Sequence, residues 1–232
     1  MPIDVKANLK QVRRRITMAA KRAGRDVKEI DLVAVTKKHP AKVVKAALDC
    51  GITSIGENKV QEAEDKIAEI GRNAARWHLV GTLQKNKVRK AVQLFDVIHS
   101  VDSPELIHRL ERICVEEGRA SLSVLVQVDL AGEETKAGIG VPYLQMVVEA
   151  LKRSTRLRFD GLMVLPPFAE DPEETRPFFR RLREIRDRLA DEGAFAGGRG
   201  HLSMGMSHDL EVAIEEGATM VRVGTAIFGA RQ

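Results

Sequence analysis

The sequence predicts an α/β protein folded as a single (β/α)8 TIM barrel with one extra helix at its N-terminus. Short apolar runs alternate with helix-periodic segments about eight times along the chain. The runs are bounded by polar residues, as in strands buried on both faces of a parallel sheet. The 232 residues suit one barrel, a domain of about 250 residues in typical cases. No linker, low-complexity tract or composition shift divides them, so residues 1–232 are expected to form one domain.

The extra helix comes first. Val5, Leu9, Val12 and Ile16 recur at helical spacing, Ala19, Ala20 and Ala23 continue the stripe, and Gly24 stops it. The first strand is the run Leu32, Val33, Ala34, Val35, followed by a helix over 41–49 that ends at Gly51. A strand at 52–56 leads into a helix over 57–70, which Gly71 stops. A third strand spans 77–81, a basic helix 84–94 and a fourth strand 95–101. Ser103 and Pro104 read as the N-cap and first residue of a helix running to about Glu117. The clearest β-segment covers 122–130, and after a loop rich in Gly, Glu and Lys a helix covers 142–153. The sixth strand spans 157–165, and Asp171 caps the start of a long charged helix. The loop 194–200 precedes a very short strand at 201–204, a helix over 209–216 and a last strand at 220–224.

Composition narrows the function. A hydrophobic fraction of 44% and a charged fraction of 31% describe an ordinary globular protein. The net charge of +5 is spread along helices where arginines alternate with acids, and there is one tyrosine and one tryptophan for stacking on bases. Nucleic acid is therefore not the expected partner, and LQKNKVRK at 83–90 reads as a solvated basic helix start. Cys50 and Cys114 show no disulfide-framework spacing, which favours a reducing compartment. The charged stretch MPIDVKANLKQVRRR lacks the apolar region of a secretory signal, and no run approaches a membrane span of about 20 residues. A cytoplasmic location without membrane association is the expectation. The histidines (His39, His78, His99, His108, His201, His208) show no metal-ligand spacing with the cysteines, and no Walker A loop is present.

Active sites of such barrels form at the C-terminal ends of the strands. The assignment places Lys37, Asn58, His78, Ser100, Lys136, Met163, residues 203–207 and residues 222–225 there. Lys37 and Lys38 leave the first strand together. An amine beside low-dielectric packing is easier to keep neutral and able to attack an aldehyde, but two lysines at a solvated strand end need no function. Ser203, Gly205, Met206 and Ser207 lead into a helix, while Gly224 and Thr225 follow the last strand. Glycines let backbone N–H groups approach an anion, and barrel phosphate sites form after strands seven and eight. Alternatively Ser207 is an N-cap and Gly224 a turn residue. Arg222, between Val221 and Val223, points to the opposite face from those valines. It must meet a buried carboxylate such as Glu57 or Asp129, or an acceptor on a ligand. Lysine, phosphate cradle and inward arginine together describe pyridoxal 5′-phosphate (PLP), which offers an aldehyde, a phosphate and a ring nitrogen.

The sequence closely resembles the pyridoxal phosphate homeostasis protein family, whose barrel is of the alanine racemase type (PLP-binding fold type III). The resemblance rests on AVTK at 34–37, GENKVQE at 56–62, WHLVGTLQKNK at 77–87 and ETKAGI at 134–139, then on GLMVLPP at 161–167, LSMGMSHDLEVAI at 202–214 and VRVGTAIFG at 221–229. It implies that Lys37 carries PLP as a Schiff base, with Asn58, Met163 and residues 203–207 lining the site. It also implies Gly224 and Thr225 at the phosphate, Arg222 at the pyridine nitrogen, and Lys136 as an accessory to cofactor transfer, a role to which His78 is added. Where some members carry a second lysine two positions after the first, this chain has His39, which puts transfer through that lysine in doubt.

Arginine is always protonated, so it donates to the ring nitrogen without protonating it, and the ring is a weaker electron sink than one facing a carboxylate. Racemases that the chain resembles add a tyrosine from a second domain of the partner subunit, and no second domain is expected here. The expected function is therefore PLP binding, homeostasis and delivery, with PLP-dependent apo-enzymes as recipients, a monomeric state and no strong catalysis of its own. The alternative is an amino-acid racemase or related enzyme that uses Lys37 and a second base among His78, His208 and Tyr143. A barrel binding another phosphate ligand is a third reading.

Overall fold

The Asp4 carboxylate accepts the Ala7 N–H at 2.9 Å and so starts the first helix, α1 (Val5–Arg22). Its buried face is the predicted stripe, from Val5 to Ala20. The computed structural model describes residues 4–132 and 137–229, so Lys136 lies outside the described residues. The strands are β1 (Asp31–Val35), β2 (Ser54–Glu57), β3 (Arg76–Leu79), β4 (Val97–Val101), β5 (Leu122–Asp129), β6 (Ile139–Gly140), β7 (Leu157–Met163), β8 (His201–Ser203) and β9 (Met220–Val223). The helices after α1 are α2 (Ala41–Asp49), α3 (Val60–Ile70), α4 (Val88–Leu94), α5 (Pro104–Glu116), α6 (Leu144–Lys152), α7 (Arg176–Asp191), α8 (Leu210–Glu215) and α9 (Thr225–Phe228).

Strand order runs β4-β3-β2-β1-β9-β8-β7-β5, and pairing of β4 with β5 closes the ring. Every pairing is parallel, from β1 with β2 round to β8 with β9. Closure removes the edges, and the helices cover the outside. The expected eight-stranded barrel with its extra helix is the architecture observed.

Boundaries moved for local reasons. Glu57 ends β2 and does not open a helix, because its carboxylate turns inward to Thr36 and Lys66. The basic helix expected from 84 tightens to a 3-10 turn at Lys85–Lys87 before α4, where cations oppose the positive end of the helix dipole. Asp96 drops out of the fourth strand and accepts the Trp77 N–H and both Arg72 terminal nitrogens. The two-residue β6, paired with β5, and the short α9 were not anticipated.

By alternation, Val33, Val35, Val80, Val97, Leu125, Met163 and Met220 fill the barrel interior. The same interior buries polar side chains, among them His78, His99, Ser203 and Arg222. A larger apolar cluster packs between the strands and the helices.

Candidate functional site

At the C-terminal mouth of the barrel lies a cavity of about 430 Å3. Among the expected residues, Lys37, Asn58, Met206, Ser207, Arg222, Gly224 and Thr225 line it. Val35, Val80, Leu165 and Phe168 give it apolar walls, and His39 and His208 add imidazoles. Of these, Phe168 carried no signal in the sequence beyond its place after β7, and Leu165 only its place at the end of the predicted strand and in GLMVLPP. Met163, Ser203 and Gly205 are buried and do not line the cavity.

The backbone after β1 separates the two lysines. Lys38 adopts φ of 64°, a left-handed conformation uncommon for a residue with a side chain. Its N–H donates to Glu62 Oε2 at 2.7 Å, and the His39 N–H closes the turn onto the Thr36 carbonyl at 3.0 Å. Lys37 is thereby turned to the cavity, and Lys38 to a neighbouring groove with Glu62, Asp65 and Glu69. Beneath the turn, Lys66 Nζ donates to Glu57 Oε1 at 2.5 Å and to the Thr36 carbonyl at 2.7 Å, and the Thr36 hydroxyl also binds Glu57. Burial pushes the Glu57 carboxyl upward while Lys66 opposes it. This buried pair is a rigid base for the turn that presents Lys37.

Asn58 follows β2, and Gly81 follows β3 beside it. A Cβ at Gly81 would stand 2.3 Å from the Asn58 carbonyl, so only glycine permits this approach. The Ser100 hydroxyl donates to the Gly81 carbonyl at 2.7 Å and completes the junction.

The loops after β8 and β9 meet as one cradle. Gly205 has φ of +88°, and a Cβ there would lie 2.5 Å from Ala213 Cβ. Its carbonyl accepts the Arg222 N–H at 2.9 Å. Asp209 accepts the Met206 N–H at 2.6 Å, and the Ser207 hydroxyl accepts the Ala226 N–H at 3.2 Å. Ser207 is therefore not the N-cap of α8, and it ties one loop to the other. The Thr225 N–H begins α9 and has no intrahelical partner. From outside, Arg15 of α1 donates to the Ser207 carbonyl at 2.9 Å and forks onto Glu211 at 2.6 and 2.7 Å.

Arg222 is buried, and its Nη1 donates to Ser203 Oγ at 2.6 Å and its Nη2 to the Val164 carbonyl at 2.9 Å. Neither carboxylate considered from the sequence meets it. Glu57 is engaged by Lys66 and Thr36, and Asp129 accepts the N–H groups of Ala131 and Gly132. Burial pulls the guanidinium down to about 10, against the pull of Asp209, which leaves it charged at neutral pH. His78 is fully buried in β3 and does not line the cavity. Tyr143 is 60% exposed and also lies outside the lining.

The donor set suits PLP. It combines a primary amine, hydroxyl and backbone donors where two loops converge, and an inward cation with no ion-pair partner among the described residues. Among those residues no three His, Cys, Asp or Glu side chains gather as a metal cluster. No helix among them is long and apolar enough to cross a membrane.

Comparison with known proteins agrees with this fold. Residues 7–232 match the family model of the alanine racemase N-terminal domain. The pyridoxal phosphate homeostasis protein of Aquifex aeolicus is 41% identical, with 97% of each chain covered. That of Escherichia coli K12 is also 41% identical, over 98% of this chain and 97% of its own. PipY of Synechococcus elongatus, solved with PLP bound, superposes with a TM-score of 0.85 at 38% identity, over 97% of this chain and all of that one. The alanine racemase of Clostridium difficile shares the fold alone, at 17% identity and a TM-score of 0.71. The chain belongs to the alanine racemase N-terminal domain family and, within it, to the pyridoxal phosphate homeostasis proteins.

Proposed function

We propose that this chain binds PLP at the barrel mouth, holds it reversibly on Lys37 and serves intracellular PLP homeostasis. The observation that carries the reading is the convergence of Lys37, Arg222, Ser207 and Thr225 on one cavity. PLP supplies an aldehyde that a neutral amine attacks, with loss of water, to give a bond that water or another amine reverses. Lys37 is the residue for that bond. The Ser207 hydroxyl and the N–H groups around Gly224 and Thr225 hold the phosphate, Asn58 and Met206 border the ring, and Met163, Ser203 and Gly205 support them from beneath. Arg222 faces the ring nitrogen as a donor. Val35, Val80 and Leu165 flank the site with apolar surface. Lys136 is kept as an accessory in transfer. The recipients are PLP-dependent apo-enzymes, and the chain acts as a cytoplasmic monomer.

The cavity lining among the described residues has four titratable side chains, Lys37, His39, His208 and Arg222. A racemase reading survives through His208. Its Nε2–H donates to the Glu170 carbonyl at 2.9 Å, which leaves Nδ1 as the acceptor. Slow or absent exchange of the substrate α-hydrogen in deuterium oxide would support the binding role, and rapid exchange abolished by His208→Ala would support catalysis.

The decisive measurement is the visible spectrum of the protein mixed with PLP, followed by borohydride reduction and mass mapping. Wild type and Lys38→Ala should develop a band and a reduced adduct on Lys37; Lys37→Ala should develop neither. A band that persists in Lys37→Ala would overturn the assignment.

A further inference from the structure

Behind Arg222 the barrel interior contains a chain of neutral polar groups that the binding role does not account for. Ser203 Oγ accepts from Arg222 at 2.6 Å and lies 2.8 Å from His99 Nδ1, and His99 Nε2 lies 2.8 Å from His78 Nδ1. All four side chains are buried. Among the described residues, each ring nitrogen of these histidines has a partner except His78 Nε2. We propose that Ser203, His99 and His78 form an oriented, uncharged relay that positions Arg222 as an uncompensated cation toward the cofactor's ring nitrogen, a role that rests on the PLP reading.

The orientation follows from counting protons. Arginine only donates, so Ser203 Oγ is an acceptor in its bond to Arg222. If the Ser203 proton goes to His99 Nδ1, His99 carries its proton on Nε2 and gives it to His78 Nδ1. His78 then bears its proton on Nε2, and that one N–H is the single group of the relay without a partner among the described residues. In the reverse arrangement the Ser203 proton and the bare His78 Nε2 are both left without partners among the described residues. One unsatisfied buried group is less costly than two. The forward arrangement therefore prevails, and it makes both histidines Nε2–H tautomers.

The absence of charge follows from the surroundings. Burial is the largest influence on both rings, His78 and Arg222 oppose protonation of His99, and Arg76 opposes protonation of each. Asp96 is the carboxylate that favours charge on His78, and Asp209 is the one acting on Arg222. A carboxylate in place of Ser203 would neutralise the guanidinium. A hydroxyl held by an imidazole pair fixes its plane and leaves its charge directed at the cavity.

The test begins with the ligand-free protein. Nitrogen-15 spectra of its histidines should show His99 and His78 as neutral Nε2–H tautomers, unchanged from about pH 5 to 8. An Nδ1–H form, or titration of either ring in that range, would overturn the relay. The second arm compares PLP with its 1-deaza analogue, which has a C–H in place of the ring nitrogen. His99→Leu should weaken PLP about tenfold and leave the analogue unchanged. His99→Gln should restore PLP binding, since its carbonyl accepts from Ser203 and its amide donates to His78. Equal loss for both aldehydes would mark a merely structural role and refute the proposal. If wild type takes up neither aldehyde, the cofactor reading fails, while the tautomers still decide the relay itself.

Discussion

At the scale of single residues, the chemistry is carried by groups whose burial is unusual. His78 is held at about 3 by burial, far below its ordinary 6.5, and His99 is lowered as well. Between those values the unfolded chain binds protons that the folded chain does not. The stability contributed by the neutral rings is complete above about pH 6.5 and is lost as pH falls toward about 3. The slope should reach about 1.4 kcal/mol per pH unit for each histidine. Urea unfolding at a series of pH values should show this loss, and His78→Leu should flatten it. The Glu57–Lys66 pair gives a second prediction. Lys66→Ala leaves a fully buried carboxylate without its cation and should cost about 3–5 kcal/mol, whereas Glu57→Leu combined with Lys66→Met should cost less. Chemical denaturation of the three variants distinguishes these outcomes. Little of this was legible beforehand. Lys37 and Arg222 stood out by strand position, but the partners of Arg222 lie 19 and 58 positions away in sequence, and nothing in the sequence sets Lys66 apart from other helix lysines.

At the scale of elements, the extra N-terminal helix acquires a purpose. Asn8 donates to the Ile227 carbonyl at 2.9 Å, and Arg15 secures the Ser207 carbonyl and Glu211, so α1 braces both loops of the cradle. The Arg15–Glu211 pair is about one-third exposed on each side, so its loss should be modest. Arg15→Ala should lower stability by about 1 kcal/mol and weaken PLP binding about threefold, read by urea unfolding and by absorbance titration. The Gly205 turn allows less change. Gly205→Ala meets both a left-handed φ and a 2.5 Å contact, and should cost at least about 2 kcal/mol by the same unfolding assay. Helix and strand order was readable because burial imposes its period on the sequence. The displaced starts of α3 and α4 were not, because Glu57 turns inward to Thr36 and Lys66 and the lysines before α4 weaken its first turn.

At the scale of the whole molecule, closure of β4 on β5 makes each strand depend on two neighbours. Trp77, the single tryptophan, is fully buried between β3 and the outer helices and reports on that closure. Its fluorescence and the far-ultraviolet circular dichroism should follow one coincident urea transition, as expected of a single domain. Separate midpoints would divide the chain. The sequence by itself determined the barrel, the extra helix, the strand-end lysine and the two loops after the last two strands. Those depend on local periodicity and on the rule that strand ends gather at one mouth. Tertiary structure alone decided that Lys37 and not Lys38 enters the cavity, that Arg222 rests on Ser203 and not on a carboxylate, and that His78 stays beneath the site. Each of these depends on which distant side chains share a buried volume, and that is set only when the ring of strands closes.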